Sequence, residues 1–199
     1  MMLIEETTVP DAALPVEDFK AHLRLGTGFG SETTQDEVLI GFLRAAISAI
    51  EARTGKVLIE RAFSWTLSFW RDRDAQGLPL APIREITRVA MVDRSGTQTE
   101  IPNTSYWLEE DSQRPRLRAA GTSLPQIPNG GSVVVEFEAG FGATWDDTPP
   151  DLKQAVLMLA AHYYEYRHEM PFGDGAMPFG VASLIERYKV MRLGGGGLR

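Results

Sequence analysis

The sequence contains no cysteine among its 199 residues. Disulfide bonds, thiol nucleophiles and cysteine-based zinc sites are therefore excluded. No apolar run approaches the roughly 18 to 20 residues that a helix needs to cross a bilayer. Residues 1–16 also lack the basic start and the apolar centre of a signal peptide. We therefore expect a protein that is made in the cytoplasm and does not bind membranes.

Motifs for bond-making chemistry are also scarce. The sequence has no Gly-x-Ser-x-Gly nucleophile motif. The best remaining candidate is the set His162, Glu165 and His168, but a zinc protease helix needs two histidines four residues apart. The observed spacing favours a polar helix end, with a metal-dependent hydrolase as the rival interpretation. The sequence thus predicts neither an enzyme nor a metal or cofactor site.

The four tryptophans are a second possible signal for a site. Exposed tryptophan can stack on a sugar or a base, which would suit a ligand-binding β module. Aromatic residues that follow the alternation of a strand are more often part of a core. We assign to the core Trp65, Trp70, Trp107 and Trp145.

Basic residues are outnumbered, since the net charge is −7. An acidic protein of this kind is unlike a sequence-reading DNA binder, which presents a basic face. Residues 181–199 are the exception, because they carry four bases and one acid. This basic end suits docking on an acidic partner, or it complements the dipole of a terminal helix.

Apolar spacing predicts the elements of the first half. Hydrophobic residues make up 43% of a chain whose length suits one domain, or one core with a subdomain. Residues 1–16 are expected to run extended, and residues 16–24 to form a short helix. Thr34 and Glu37 form a capping box for a longer helix that stops at Gly55. Its apolar stripe consists of Val38, Leu39, Phe42, Leu43, Ala46, Ile47 and Ile50.

From residue 57 the apolar period changes to two, which indicates strands. Residues 62–70 alternate, and the apolar face is Phe63, Trp65, Leu67 and Phe69. Further strands are expected at residues 85–92, 97–101, 106–108, 116–118 and 133–140. Turns are predicted at residues 93–96 and at Asn129-Gly130. These strands and turns predict a small antiparallel sheet, sandwich or partial barrel.

The second long helix is apolar on nearly all sides. Thr148 is its expected cap, with Pro149 and Pro150 in the first turn. Such a helix is buried on more than one side, either by the sheet and the first helix or by a neighbouring subunit. The residues predicted for a subunit interface are Val156, Leu157, Met158 and Tyr164. Residues 181–193 suit a last helix, and residues 194–197 are all glycine.

These elements predict an α+β fold, in which a helical bundle core holds a small embedded antiparallel β-domain and ends in an extended C-terminal tail. The predicted parts are an N-terminal arm and helices (residues 1–55), the β-domain (56–147), C-terminal helices that complete the core (148–193) and a flexible tail (194–199).

The order of these parts resembles the head–tail connector, or adaptor, proteins of long-tailed phages and gene transfer agents. The segment VEDFKAHLRL at residues 16–25 is similar to the opening motif of that family. The resemblance continues through residues 36–55, 80–96, 139–164 and 178–188.

Membership of that family would imply a structural protein of a virion or virus-like particle. The expected assembly is a ring, dodecameric in the family, beneath the portal protein. DNA would pass through the channel without sequence-specific binding, and a stopper or tail protein would bind below. By analogy the portal contacts are Tyr188, Arg192, Leu198 and Arg199. The alternatives are a stopper or tail-completion protein of the same particle, or a ligand-binding β module.

Overall fold

Helices and strands collect into two hydrophobic cores, and the protein has the predicted α+β fold. The computed structural model describes residues 1–24, 33–167 and 177–189. Its helices are α1 (Val16–His22), α2 (Thr33–Thr54), α3 (Pro150–Glu165) and α4 (Phe179–Ile185). Its strands are β1 (Met2–Glu5), β2 (Arg61–Leu67), β3 (Ala75–Gly77), β4 (Ile83–Val92), β5 (Gln98–Glu100), β6 (Tyr106–Glu109), β7 (Arg116–Ala119) and β8 (Ser132–Ala139).

The helical core forms where α2 packs against α3, with α1 and α4 at the sides. Leu39, Leu43, Ala46 and Ile50 are fully buried, which confirms the central stripe predicted for α2. Gly55 has a positive φ of 67°, as a C′ glycine requires. The helix already includes Thr33. The prediction that Thr34 caps it was therefore wrong by at least one residue.

The start of α3 also differs from the prediction. Pro149 is its N-cap, so Thr148 lies one residue too early to cap it. Instead Thr148 is buried and its hydroxyl donates to the Leu58 carbonyl at 3.4 Å. Thr148 is the C-cap of the preceding 3₁₀ turn Trp145–Asp147, and its backbone N–H donates to the Trp145 carbonyl at 3.1 Å.

Five antiparallel strands form the main sheet in the order β1-β2-β8-β4-β5. In β8 every second residue is buried, as the period of two predicts. The smaller sheet has the order β3-β7-β6. Residues 2–5, expected to run extended, form the edge strand β1. Phe69 was assigned to the buried face of β2, but that strand ends at Leu67 and Phe69 is 72% exposed.

The predicted turns are present. Gly96 and Gly130 both have positive φ values, and Asp93 Oδ1 accepts bonds from the backbone N–H groups of Ser95 and Thr97. Helix α4 ends at Ile185 and continues as the 3₁₀ turn Glu186–Tyr188. It is therefore shorter than the helix predicted for residues 181–193, of which 190–193 lie outside the described residues.

The two cores match the predicted combination of a helical part and a β part. The helical core includes Leu58, Ile59 and Trp145, which lie at the two ends of the strand-rich segment. The sheet core is built from β2, β4 and β8 with Leu117 of β7 and Leu124. The helices from both halves of the chain therefore share one core, and the strand-rich segment enters and leaves it. The domain boundaries themselves stay a prediction.

Candidate assembly surfaces

The four residues predicted for a subunit interface lie at different depths on α3. Val156 is fully buried in the helical core, so its side chain is already occupied within the subunit. Leu157, Met158 and Tyr164 are partly exposed and pack against the edge of that core. Met158 lies beside α4, since a Cβ on Gly180 would come within 2.9 Å of its Cε. Leu157 and Tyr164 remain as candidates for a surface contact.

An apolar ridge runs along the exposed side of the α2–α3 pair. The rings of Phe42 and Tyr164 meet edge to face with their centroids 5.9 Å apart. Leu157 lies two helical turns before Tyr164, so both share one face of α3. Ala49 lies two turns after Phe42, so both share one face of α2. Val38 and Ala45 extend the same side of α2. We call this surface the apolar ridge and define it as Val38, Phe42, Ala45, Ala49, Leu157 and Tyr164.

The ridge is uncharged along its length and has a cation at one end. Val38 is 49% exposed, and Ala45 is also exposed. At the Tyr164 end the Arg167 guanidinium lies over the Tyr164 ring, 4.5 Å from its centroid. Arg167 also donates to the Tyr164 carbonyl at 2.9 Å. A partner for this surface would therefore be apolar, with an acidic group near Arg167.

Tyr188 anchors the last described segment to the start of α3. It is 8% exposed, and its hydroxyl donates to Asp151 Oδ1 at 2.7 Å. Arg187 donates to the same hydroxyl at 2.6 Å and pairs with Asp151 Oδ2 at 2.8 Å. Burial and the hydrogen bond to Asp151 raise the pKa of Tyr188. The three side chains hold the 3₁₀ turn Glu186–Tyr188 against the start of α3.

This anchor changes the interpretation of the predicted portal contacts. Tyr188 faces inward, where its ring also meets Phe141 edge to face at 6.4 Å. Arg192, Leu198 and Arg199 lie outside the described residues. Arg187 and Asp151 were missed as members of this site. The sequence offers no signal for them, because the contact joins residues that are 37 positions apart.

The amino-terminal arm is held against α2 by two charged groups. Arg44 donates to the Val9 carbonyl at 2.7 Å and pairs with Asp11. Arg61 contacts Glu5 at 3.0 Å and Glu51 at 2.6 Å, so it joins β1 to the end of α2. The arm is therefore fixed to the body of the subunit.

Of the catalytic candidate, the structure describes His162 and Glu165. The His162 ring packs against Tyr166 with centroids 4.7 Å apart, and Glu165 is the last residue of α3. His168 lies outside the described residues. Within the described part of the chain, no group of three or more His, Asp and Glu side chains is placed to hold a metal ion.

The tryptophans divide between the core and the surface. Trp65 and Trp145 are buried as predicted. Trp70 is half-buried and donates its indole N–H to the Pro125 carbonyl at 2.8 Å. Trp107 is 50% exposed, so its assignment to the core was wrong. None of the described helices is both long and apolar enough to cross a membrane.

Solved structures that resemble this chain identify its family. A chain from the neck of an empty gene transfer agent (GTA) particle, computed with C6 symmetry, is 51% identical with a TM-score of 0.89. The match covers 98% of this chain and 99% of that chain. The chain belongs to this family of GTA particle proteins. It is a structural component of the neck and is located in the particle.

Two further structures support the family. A chain from the virion of a native GTA particle is 51% identical with a TM-score of 0.87. A chain from the neck of a native GTA particle, computed with C12 symmetry, is 48% identical with a TM-score of 0.85. Each match covers 98% of this neck protein and 99% of the other chain. No family model and no curated protein matches it significantly.

Proposed function

We propose that this neck protein is the head–tail adaptor of its particle, a ring of copies bound beneath the portal. The ring extends the DNA channel and joins the capsid to the stopper or tail. The observation that carries the proposal is the match over 98% of the chain to chains of GTA necks computed with C6 and C12 symmetry. Twelve copies in a ring are compatible with both symmetries.

The apolar ridge supports assembly into a ring. Its residues include a half-exposed valine and a partly exposed pair of aromatic rings, Phe42 and Tyr164. Exposed apolar surfaces of this kind are typical of protein contacts. Leu157 and Tyr164 are the predicted interface residues that keep this role, and Val156 supports them from inside the core.

The carboxyl-terminal segment supplies the portal contact in this proposal. Residues 181–199 carry four bases and one acid. The bonds among Asp151, Arg187 and Tyr188 hold the described part of this segment against the start of α3. We assign the portal contacts to Arg192, Leu198 and Arg199, with Tyr188 as the anchor behind them.

The charge of the protein suits a channel wall. With a net charge of −7, a ring of copies repels DNA phosphates more than it binds them. Attraction to phosphates would hold DNA in place instead of letting it slide. In this arrangement the helices of residues 1–55 and 148–193 form the wall, and the β-domain of residues 56–147 projects from it.

Binding to the purified portal complex tests the proposal. The full chain is expected to form a ring on the portal, visible by negative-stain imaging, and native mass spectrometry is expected to count twelve copies. A chain that ends at Lys189 should stay folded and fail to bind, whereas Phe69→Glu, which changes an exposed residue outside the ridge, should bind normally. A chain that binds the tail tube and not the portal would be a stopper or tail-completion protein instead.

A further inference from the structure

A second exposed apolar surface lies at the amino terminus. Residues 1–4, which we call the apolar strand, are Met1, Met2, Leu3 and Ile4, and each is between 40% and 85% exposed. Met2, Leu3 and Ile4 belong to β1, which pairs with β2 on one side only because it is the edge of the five-stranded sheet. Natural edge strands are normally protected by charge, proline or a covering element. The apolar strand has no charged side chain and no proline.

The apolar strand and the apolar ridge lie on opposite flanks of α2. Two residues of α2 hold the amino-terminal arm. Arg44 donates to the Val9 carbonyl, and Glu51 accepts from Arg61, which also contacts Glu5. Arg44 follows Phe42 by two positions, and Glu51 follows Ala49 by two positions. At about 100° per residue, each of these side chains is turned by about 200° around the helix axis from the ridge residue before it. The buried residues of α2 lie between these two directions.

Two different surfaces on opposite flanks are what a closed ring requires. In a ring of more than two copies every contact is head-to-tail, so each subunit presents one patch to the copy before it and another to the copy after it. A twofold dimer would use one patch twice. The two surfaces here differ in construction, since one is a strand edge and the other a pair of helices.

We propose that the apolar strand of one copy packs on the apolar ridge of the next copy in the ring. This contact rests on the ring assembly proposed above and names its two surfaces. Both surfaces are apolar, and their ends match in charge. The exposed Glu6 lies just after the apolar strand and Glu5, whereas Arg167 lies at the Tyr164 end of the ridge. Packing Met2 and Ile4 against Phe42, Leu157 and Tyr164 removes all of them from water.

Cross-linking in assembled particles tests this contact directly. Because the chain has no cysteine, single cysteines can be placed at Ile4 in the apolar strand and at Ala45 in the ridge. Both positions are exposed. Particles that carry the double variant I4C/A45C are treated with a short bismaleimide and separated on a denaturing gel. The matched control is I4C/A120C, in which the second cysteine lies at an exposed position after β7.

The double variant I4C/A45C is expected to give a ladder of covalent oligomers, and each single variant and I4C/A120C to give none. A complete ring in the neck with no ladder would overturn the contact and leave the adaptor function standing. A covalent dimer from I4C alone would show strand-to-strand pairing and also overturn it. A neck without a ring of this chain would overturn both proposals.

A charge placed in the apolar strand gives a second measurement. Ile4→Glu is expected to lower incorporation into necks at least tenfold, because the glutamate would enter the apolar ridge of the next copy. Phe69→Glu places the same charge on another exposed apolar residue and is expected to leave incorporation unchanged. Equal incorporation of the two variants would contradict the contact.

Discussion

Glu51 and Arg61 join the last turn of α2 to the first residue of β2 through hydrogen bonds of 2.7 and 2.6 Å. Both side chains are nearly buried, with 15% and 8% exposed. The Leu58 backbone N–H also donates to Glu51 at 2.8 Å. Burial raises the pKa of Glu51, and the attraction of Arg61 opposes that rise. This pair therefore links the helical core to the sheet.

Glu51→Gln is expected to destabilise the protein by about 3 kcal/mol, because it leaves the buried guanidinium of Arg61 with Glu5 as its remaining carboxylate partner. Urea unfolding at neutral pH measures the change. Asp11→Asn, which breaks the exposed pair with Arg44, is the control and should cost much less. Equal losses in the two variants would show that burial does not decide the strength of the Glu51 pair.

Gly55 follows α2 and Gly140 follows β8, and the two glycines differ in what surrounds them. Gly140 has a φ of 148°, and a Cβ there would lie 2.4 Å from the Glu60 Cα. Gly55 has a φ of 67° with nothing within 4 Å of a Cβ. Gly55→Ala should therefore cost about 1 kcal/mol for its left-handed backbone alone. Gly140→Ala should cost at least twice as much by urea unfolding, and a smaller loss than at Gly55 would be inconsistent with the close approach to Glu60.

Lys56 is a charged group in a buried place. It is 1% exposed, and its ammonium donates to the Ser112 carbonyl at 2.6 Å. Burial lowers the pKa of Lys56 below 10.5, the ordinary value of a lysine. Since the unfolded chain binds the proton more tightly, this burial costs stability below the folded pKa, and the cost shrinks as the pH rises toward 10.5.

Lys56→Met is therefore expected to raise the free energy of unfolding at pH 7. The gain over the natural chain should decline as the pH rises through the folded pKa of Lys56 toward 10.5. Urea unfolding of both proteins at several pH values measures the difference. Lys153→Met, which removes a lysine whose side chain is 25% exposed, is measured alongside as the control for loss of a more exposed lysine. A gain for Lys56→Met that grows with pH would contradict the lowered pKa of Lys56.

Tyr188→Phe removes one hydroxyl and keeps the ring against Phe141. The hydrogen bonds to Asp151 and Arg187 are lost, so stability should fall by about 1 kcal/mol. Under the proposed function, affinity for the portal should fall as well, because the 3₁₀ turn Glu186–Tyr188 that precedes the proposed portal contacts is held less firmly. Tyr166→Phe changes a half-exposed tyrosine and is the control for both measurements. Unchanged stability and affinity in Tyr188→Phe would show that the Tyr188 hydroxyl does not anchor this segment.

Local patterns predicted most of the fold. The stripe Leu39, Leu43, Ala46 and Ile50 repeats at helical spacing, and every second residue of β8 from Val133 to Ala139 is apolar. Both elements are therefore visible without tertiary information. Phe69 was placed wrongly because alternation continues past Leu67, where the strand leaves the sheet. The strand β3 was not predicted, since its three residues carry no apolar alternation.

The surfaces were harder to predict than the elements. Val156 and Leu157 are adjacent on a helix that is apolar on nearly all sides, so the sequence does not tell which of them faces the core. The apolar ridge arises only when α2 packs beside α3 and brings Phe42 to Tyr164. The contact between Asp151 and Tyr188 likewise depends on how α4 returns to the start of α3.

The most direct test of the adaptor function is a cryo-EM reconstruction of the neck, without imposed symmetry, from particles assembled with this chain. The adaptor function predicts a ring of twelve copies directly beneath the portal, with residues 190–199 of each copy in contact with it. A ring of this chain at the tail side, separated from the portal by another protein, would contradict the adaptor function.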